Sequence, residues 1–119
     1  MQHKSTSLML YNRNTISRYV PNTHAVYFLR GIADDNSLYP IYYIGKSSNG
    51  KLREHLLKKF SEEYHPEIVY INYIKFKSDR EAQQFIKQEI ARHKPQFNLE
   101  KKVFQPFFQT VSYVQNTKF

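Results

Sequence analysis

The sequence contains no cysteine, which excludes disulfide scaffolds, zinc ribbons and thiol catalysis. No apolar run approaches the roughly 20 residues of a membrane span, and the opening Met1-Gln-His-Lys-Ser-Thr has no signal-peptide core. The chain therefore reads as soluble and intracellular. Glycine is scarce, at three residues, and no repeat or low-complexity tract occurs. Acidic residues are also few: ten Asp and Glu face 18 Lys and Arg, a net charge of +8. What is abundant is aromatic, ten tyrosines and nine phenylalanines in 119 residues. A chain of this length supports one domain that folds without staples. Excess positive charge interleaved with aromatics is the composition of a protein that meets a polyanion, most often nucleic acid.

Residues 1–23 are polar and weakly periodic, with Asn12, Asn14, Pro21 and Asn22 as breakers, and read as an N-terminal arm. His24 to Arg30 and Leu38 to Gly45 are β-branched and aromatic runs separated by the turn-rich Gly31 to Ser37, the pattern of a hairpin with a long loop. Pro40 belongs at the start of the second strand, where a missing N–H is tolerated. In Lys51 to Phe60, Leu52, Leu56 and Phe60 recur at helical spacing beneath a basic outer face. Glu67 to Lys77 returns to β-formers. Ser78 and Glu81 form a capping box that opens a helix to about His93, stopped by Lys94-Pro95. From Glu100 to Phe119 the chain is too apolar for a free tail, so residues 99–119 are expected to pack on the domain or a partner. The expected fold class is α/β (α+β): a small three-stranded antiparallel sheet flanked by helices.

Ala25-Val26-Tyr27 on the first strand, Tyr43-Ile44-Gly45 closing the second, Lys46, Arg53 on the first helix and Lys94-Pro95-Gln96-Phe97-Asn98 after the last are in the order of the GIY-YIG nuclease domain. The chain resembles that family over residues 24–98. The resemblance implies a metal-dependent endonuclease that hydrolyses phosphodiester bonds in DNA, with RNA as a second candidate substrate. It also implies a divalent cofactor, Mg²⁺ or Mn²⁺. One departure stands out: the family's metal-binding glutamate on the last helix falls, counted back from Asn98, at Ile86. On a helical wheel Glu89 lies about 60° from residue 86 and Glu81 about 140° away. Glu89 leans toward the position a residue at 86 would occupy. Glu89 is thus the expected metal ligand, with Glu81, already used by the capping box, as the alternative.

In the reading the resemblance supports, Arg53 clamps a non-bridging phosphate oxygen with its planar fork. Tyr27 or Tyr43 orients the attacking water or takes its proton. A phenol near pKa 10 needs its anion stabilised first, and Lys46 is the nearby cation. Gly45 and Asn98 are structural residues near the site, Asn98 tying its loop to the sheet. Lys46, Lys51, Arg53, Lys58 and Lys59 form a basic surface that grips backbone without reading sequence. Taken singly, each residue also has a plain reading, core tyrosine or solvated charge; their joint spacing favours the site. No role carries over to His55, and His55, His65 and Glu67 lack a recognised zinc spacing. The runner-up function is a catalytically silent nucleic-acid-binding domain of the same fold. Cutting both strands with one site calls for a dimer or two sequential events.

Overall fold

A computed structural model of the chain describes residues 4–33 and 39–99. The element order is β1 (Met9–Leu10), α1 (Arg13–Tyr19), β2 (His24–Arg30), β3 (Ile41–Lys46), α2 (Leu52–Glu62), β4 (Tyr70–Phe76) and α3 (Asp79–His93). All pairings are antiparallel, in the order β1-β4-β2-β3. The sheet thus has four strands where the sequence predicts three. The extra one, Met9 and Leu10 against Ile71 and Tyr70, is too short to show an alternation that sequence can reveal. The hairpin of β2 and β3 is present, while the tip of its loop and residues 100–119, expected to pack as a strand, lie outside the described residues.

Strand β2 is central and both its faces are covered, which explains its unbroken apolar run. Ala25, Tyr27 and Leu29 turn to one face, where Tyr11, Ile16, Val20, Leu52 and Leu56 complete a core beneath α1 and α2. Val26 and Phe28 turn to the other, where Ile44, Ile74, Phe76, Ala82 and Ile86 pack beneath α3. Residues 4–23, expected as an arm, carry β1 and α1 and bury Tyr11, Ile16 and Val20 in the first core.

Local signals set the helix ends. Asn12 caps α1, its side chain accepting from Thr15 N at 2.8 Å, and Ser78 caps α3, accepting from Glu81 N at 3.2 Å. Lys94 takes a left-handed conformation (φ 47°) that ends α3 just before Pro95. Helix α2 has no cap from its own preceding residue; Asn22 supplies one from a distance, accepting from Glu54 N at 3.2 Å. Asn98 reaches the β3 edge and makes both bonds a neighbouring strand would make to Ile44. Its Oδ1 accepts from Ile44 N at 2.8 Å, and its Nδ2 donates to Ile44 O at 2.9 Å. The closing segment is thereby fixed against the strand that carries Tyr43 and Gly45.

Candidate active site

Tyr27 sits mid-way along β2, flanked by Gly45 on β3 and Tyr73 on β4. Because residue 45 has no side chain, the Tyr27 ring lies directly over the β3 backbone. A Cβ there would come within 2.3 Å of both its Cζ and its hydroxyl oxygen. The residue is fully buried, yet its hydroxyl is satisfied, 2.9 Å from Nε2 of His55 on α2 and hydrogen-bonded to Tyr43. Burial, with Tyr43 next, pushes the Tyr27 phenol well above its ordinary value, so the pocket holds it as a neutral hydroxyl. The Tyr43 ring lies 6.1 Å from that of Tyr27, centroid to centroid. Its face carries the Lys59 ammonium, 3.9 Å from the centroid, and the same nitrogen pairs with Glu63 at 2.9 Å. Lys59 keeps only 9% of its side chain exposed against 38% for Glu63.

The structure thus brings Tyr27 and Tyr43 together with His55, Lys59 and Glu63, none of the last three a family position. They were partly legible. His55 and Lys59 lie one turn apart on α2 and flank the Leu52–Leu56 stripe, while Glu63 is the residue that ends the helix. Tyr11 joins the same core, its ring edge-on to Phe60 at 5.2 Å.

The other expected residues go elsewhere. Arg53 leaves α2 about 160° round from His55 and donates through Nε to the Val20 carbonyl at 2.8 Å, at the end of α1. Lys46 projects to the opposite face of the sheet from its neighbour Gly45. There it pairs with Asp79 at 2.9 Å and donates to the Ser47 carbonyl at 3.3 Å. Lys51 and Lys58 are exposed, but Lys59, expected on the same phosphate-facing surface, is not.

Searches against known proteins returned no matching family model and no matching curated protein. Among solved structures, the chain is similar to the N-terminal GIY-YIG endonuclease domain of UvrC from Thermotoga maritima, bound to its catalytic divalent cation, magnesium. The TM-score is 0.56 at 20% identity, covering 71% of this chain and 92% of that one. The fold is the GIY-YIG fold. The match rests on backbone arrangement and assigns no residue a role.

Whether this chain can hold a divalent cation where the sequence expects it is decided on α3. Ile86 is packed among Val26, Phe28 and Ile44, on the face of the sheet away from Tyr27. Glu89 is on the same helix, 13% exposed, its two oxygens 3.7 Å from Arg92 Nη1 and 3.3 Å from His93 Nε2. Glu81 is exposed in the first turn. Among the described residues no three His, Asp or Glu side chains gather into a metal-binding group. The described residues therefore do not fit a divalent ion at Glu89 or Glu81. Nor, among them, is any helix long and apolar enough to cross a membrane.

Proposed function

We propose that this chain hydrolyses phosphodiester bonds in DNA, with the face of the sheet under α2 as its reacting surface. The observation that carries the reading is the Tyr27–His55–Tyr43 hydrogen-bonded cluster, seated over a glycine within the GIY-YIG fold. Three polar side chains locked this way form a preorganised surface, and preorganisation is what lowers a barrier. Tyr27, neutral and buried, positions His55 and Tyr43 and does not act as a phenolate. Tyr43, half-buried and backed by the Lys59 ammonium, is the tyrosine placed to meet substrate. Arg53 has its Nε committed to Val20, so a phosphate contact falls to its two Nη atoms. Mg²⁺ enters at the level of the fold neighbour alone, and no step here runs through a metal.

The test is plasmid nicking by the full chain with Mg²⁺, with Mn²⁺ and with chelator. Cleavage is expected, falling about a hundredfold in Tyr43→Phe, with Glu89→Gln unchanged because Glu89 faces away from the cluster. Loss of cleavage in Glu89→Gln would restore the carboxylate reading of α3. A second reading, a silent nucleic-acid-binding domain, is favoured by one observation: the apolar packing of Ile86 where the family carries its metal ligand. Binding without cleavage in all three conditions would select it.

Both readings share a binding surface, and its salt response is specific. Affinity for DNA should fall steeply with salt, as phosphate contacts from Lys51, Lys58 and Arg53 release counterions. Lys58→Ala should flatten the log–log salt slope by about one unit for all sequences alike. Lys59→Ala should leave the slope nearly unchanged and instead loosen Tyr43, because its ammonium is spent on Glu63 and the ring. Equal slope changes in the two variants, measured by fluorescence anisotropy, would put Lys59 back on the phosphate surface.

A further inference from the structure

Ser48 to Lys51 make a tight turn between β3 and α2, closed by Lys51 N donating to the Ser48 carbonyl at 2.9 Å. Its central residues, Asn49 and Gly50, both take left-handed conformations, φ 53° and 70°, the pattern of a type I′ turn. Asn49 is exposed, and it is the sequence's one asparagine followed by glycine. The glycine is enforced. A Cβ at residue 50 would stand 3.0 Å from Cε1 and 3.1 Å from Nε2 of His24, and the left-handed backbone disfavours a side chain there as well. This pair has a chemistry of its own. A backbone nitrogen can close a succinimide ring on the asparagine side chain before it, and what ordinarily hinders it is the side chain on the nitrogen's own residue. Gly50 carries none, and the turn's hydrogen bond uses the Lys51 nitrogen, leaving that of Gly50 outside it.

We propose that Asn49 is a self-modification site, converting to aspartate and isoaspartate as the chain ages, and that the new carboxylate weakens the nucleic-acid surface at the start of α2. Water is the only co-reactant the step needs. The Gly50 nitrogen gives its proton to a solvent base and bonds to Asn49 Cγ. The bond from Cγ to Nδ2 breaks, and Nδ2 takes a proton from solvent and leaves as ammonia. Water then adds to one succinimide carbonyl, whose bond to the Gly50 nitrogen breaks and returns a proton to that nitrogen. Opening at Cγ yields aspartate; opening at the backbone carbonyl yields isoaspartate, with the chain continuing through the side chain. Either product lowers the net charge of +8 by one. Its place matters as much as its sign. Residue 49 lies just before Lys51 and Arg53, and α2 has no side-chain cap from its own preceding residue. A carboxylate there is favoured by the positive end of the helix and competes with a phosphate for the same cations. The effect on binding rests on the proposed function; the modification does not.

Two measurements on the full chain test this. Aged in warm, mildly alkaline buffer and mapped by mass spectrometry, the chain should carry aspartate and isoaspartate at residue 49 before any other asparagine converts. Asn49→Gly, which suits the left-handed turn, should remove that earliest conversion. If residue 49 stays intact while another asparagine converts, or if none converts, the turn is too rigid for ring closure and the inference is wrong. In fluorescence anisotropy with DNA, the aged chain and Asn49→Asp should both bind more weakly than the fresh chain, with a log–log salt slope shallower by about one unit. Asn49→Gly should bind alike before and after ageing. Unchanged binding after full conversion overturns the effect on the surface. Should the fresh chain bind no DNA, the nucleic-acid reading fails and the effect with it, and the mapping decides the modification by itself.

Discussion

Gly45→Ala is expected to destabilise the fold by about 3 kcal/mol, a drop of about 15 °C in melting temperature for a domain of this size. The strand conformation at residue 45 suits any residue, so backbone strain is not the cause. The added methyl would stand 2.3 Å from Tyr27 Cζ and hydroxyl and 2.8 Å from Cε2. A ring at a protein surface would swing aside, but Tyr27 is fully buried between Gly45 and Tyr73 under α2. It can yield only by pulling its hydroxyl from His55 and Tyr43. The variant should therefore lose the site together with stability. In a Tyr27→Leu background the same substitution should cost far less, since the clashing atoms are gone, and that non-additivity is what identifies the contact. Additive losses, measured by thermal or denaturant unfolding, would show that the clash is relieved elsewhere.

That contact explains why some of the chain could be read from sequence. The order of β2, β3, α2, β4 and α3 follows from β-forming runs, a capping box and a proline stop, each a local signal. Tyr27 and Gly45 were each singled out by the resemblance, and the structure pairs them: a ring on one strand needs an empty position on the next. Asn98 was readable for a similar reason, because a side-chain amide can complete a strand edge. Other features depend on long-range packing that leaves little local trace. Met9 and Leu10 are a strand only because β4 offers them an edge, and Tyr11, Ile16 and Val20 are core only because α1 folds back over the sheet.

The carboxylate question turned on a face. A helical wheel ranks Glu89 and Glu81 against residue 86 but does not say which side of the sheet α3 covers. Val26, Phe28 and Ile44 place α3 opposite Tyr27, so nearness to residue 86 on the wheel carries Glu89 away from the tyrosines. Glu63, the residue that ends α2, reads from sequence as half of an ordinary surface pair with Lys59. Its partner's burial, not its spacing, marks it.

Raising the pH should unfold this protein over a window that begins near pH 10. In the unfolded chain its ten tyrosines titrate near their ordinary value of about 10. In the fold Tyr27 is held well above that value, first by burial and then by Tyr43, and Tyr11 is raised by burial, Glu63 and Tyr43. Below pH 10 both are neutral in either state, and the stability tied to them is fully present. Above it the unfolded chain releases protons that the native state retains at Tyr27 and Tyr11, with Tyr73, also raised by burial, adding to them, so stability falls as pH climbs toward the folded values. The slope is about 1.4 kcal/mol per pH unit for each phenol. Two units therefore remove about 5–6 kcal/mol, comparable with the whole stability of a modest domain. Far-ultraviolet circular dichroism and tyrosinate absorbance should change together near pH 12. Lysines titrate in the same range, so the decisive quantity is a difference: Tyr11→Phe should unfold with a pH slope shallower by about 1.4 kcal/mol per unit. If tyrosinate forms in full while the fold persists, or if the two proteins share one slope, Tyr11 and Tyr27 are open to solvent and the sealed tyrosine face does not exist.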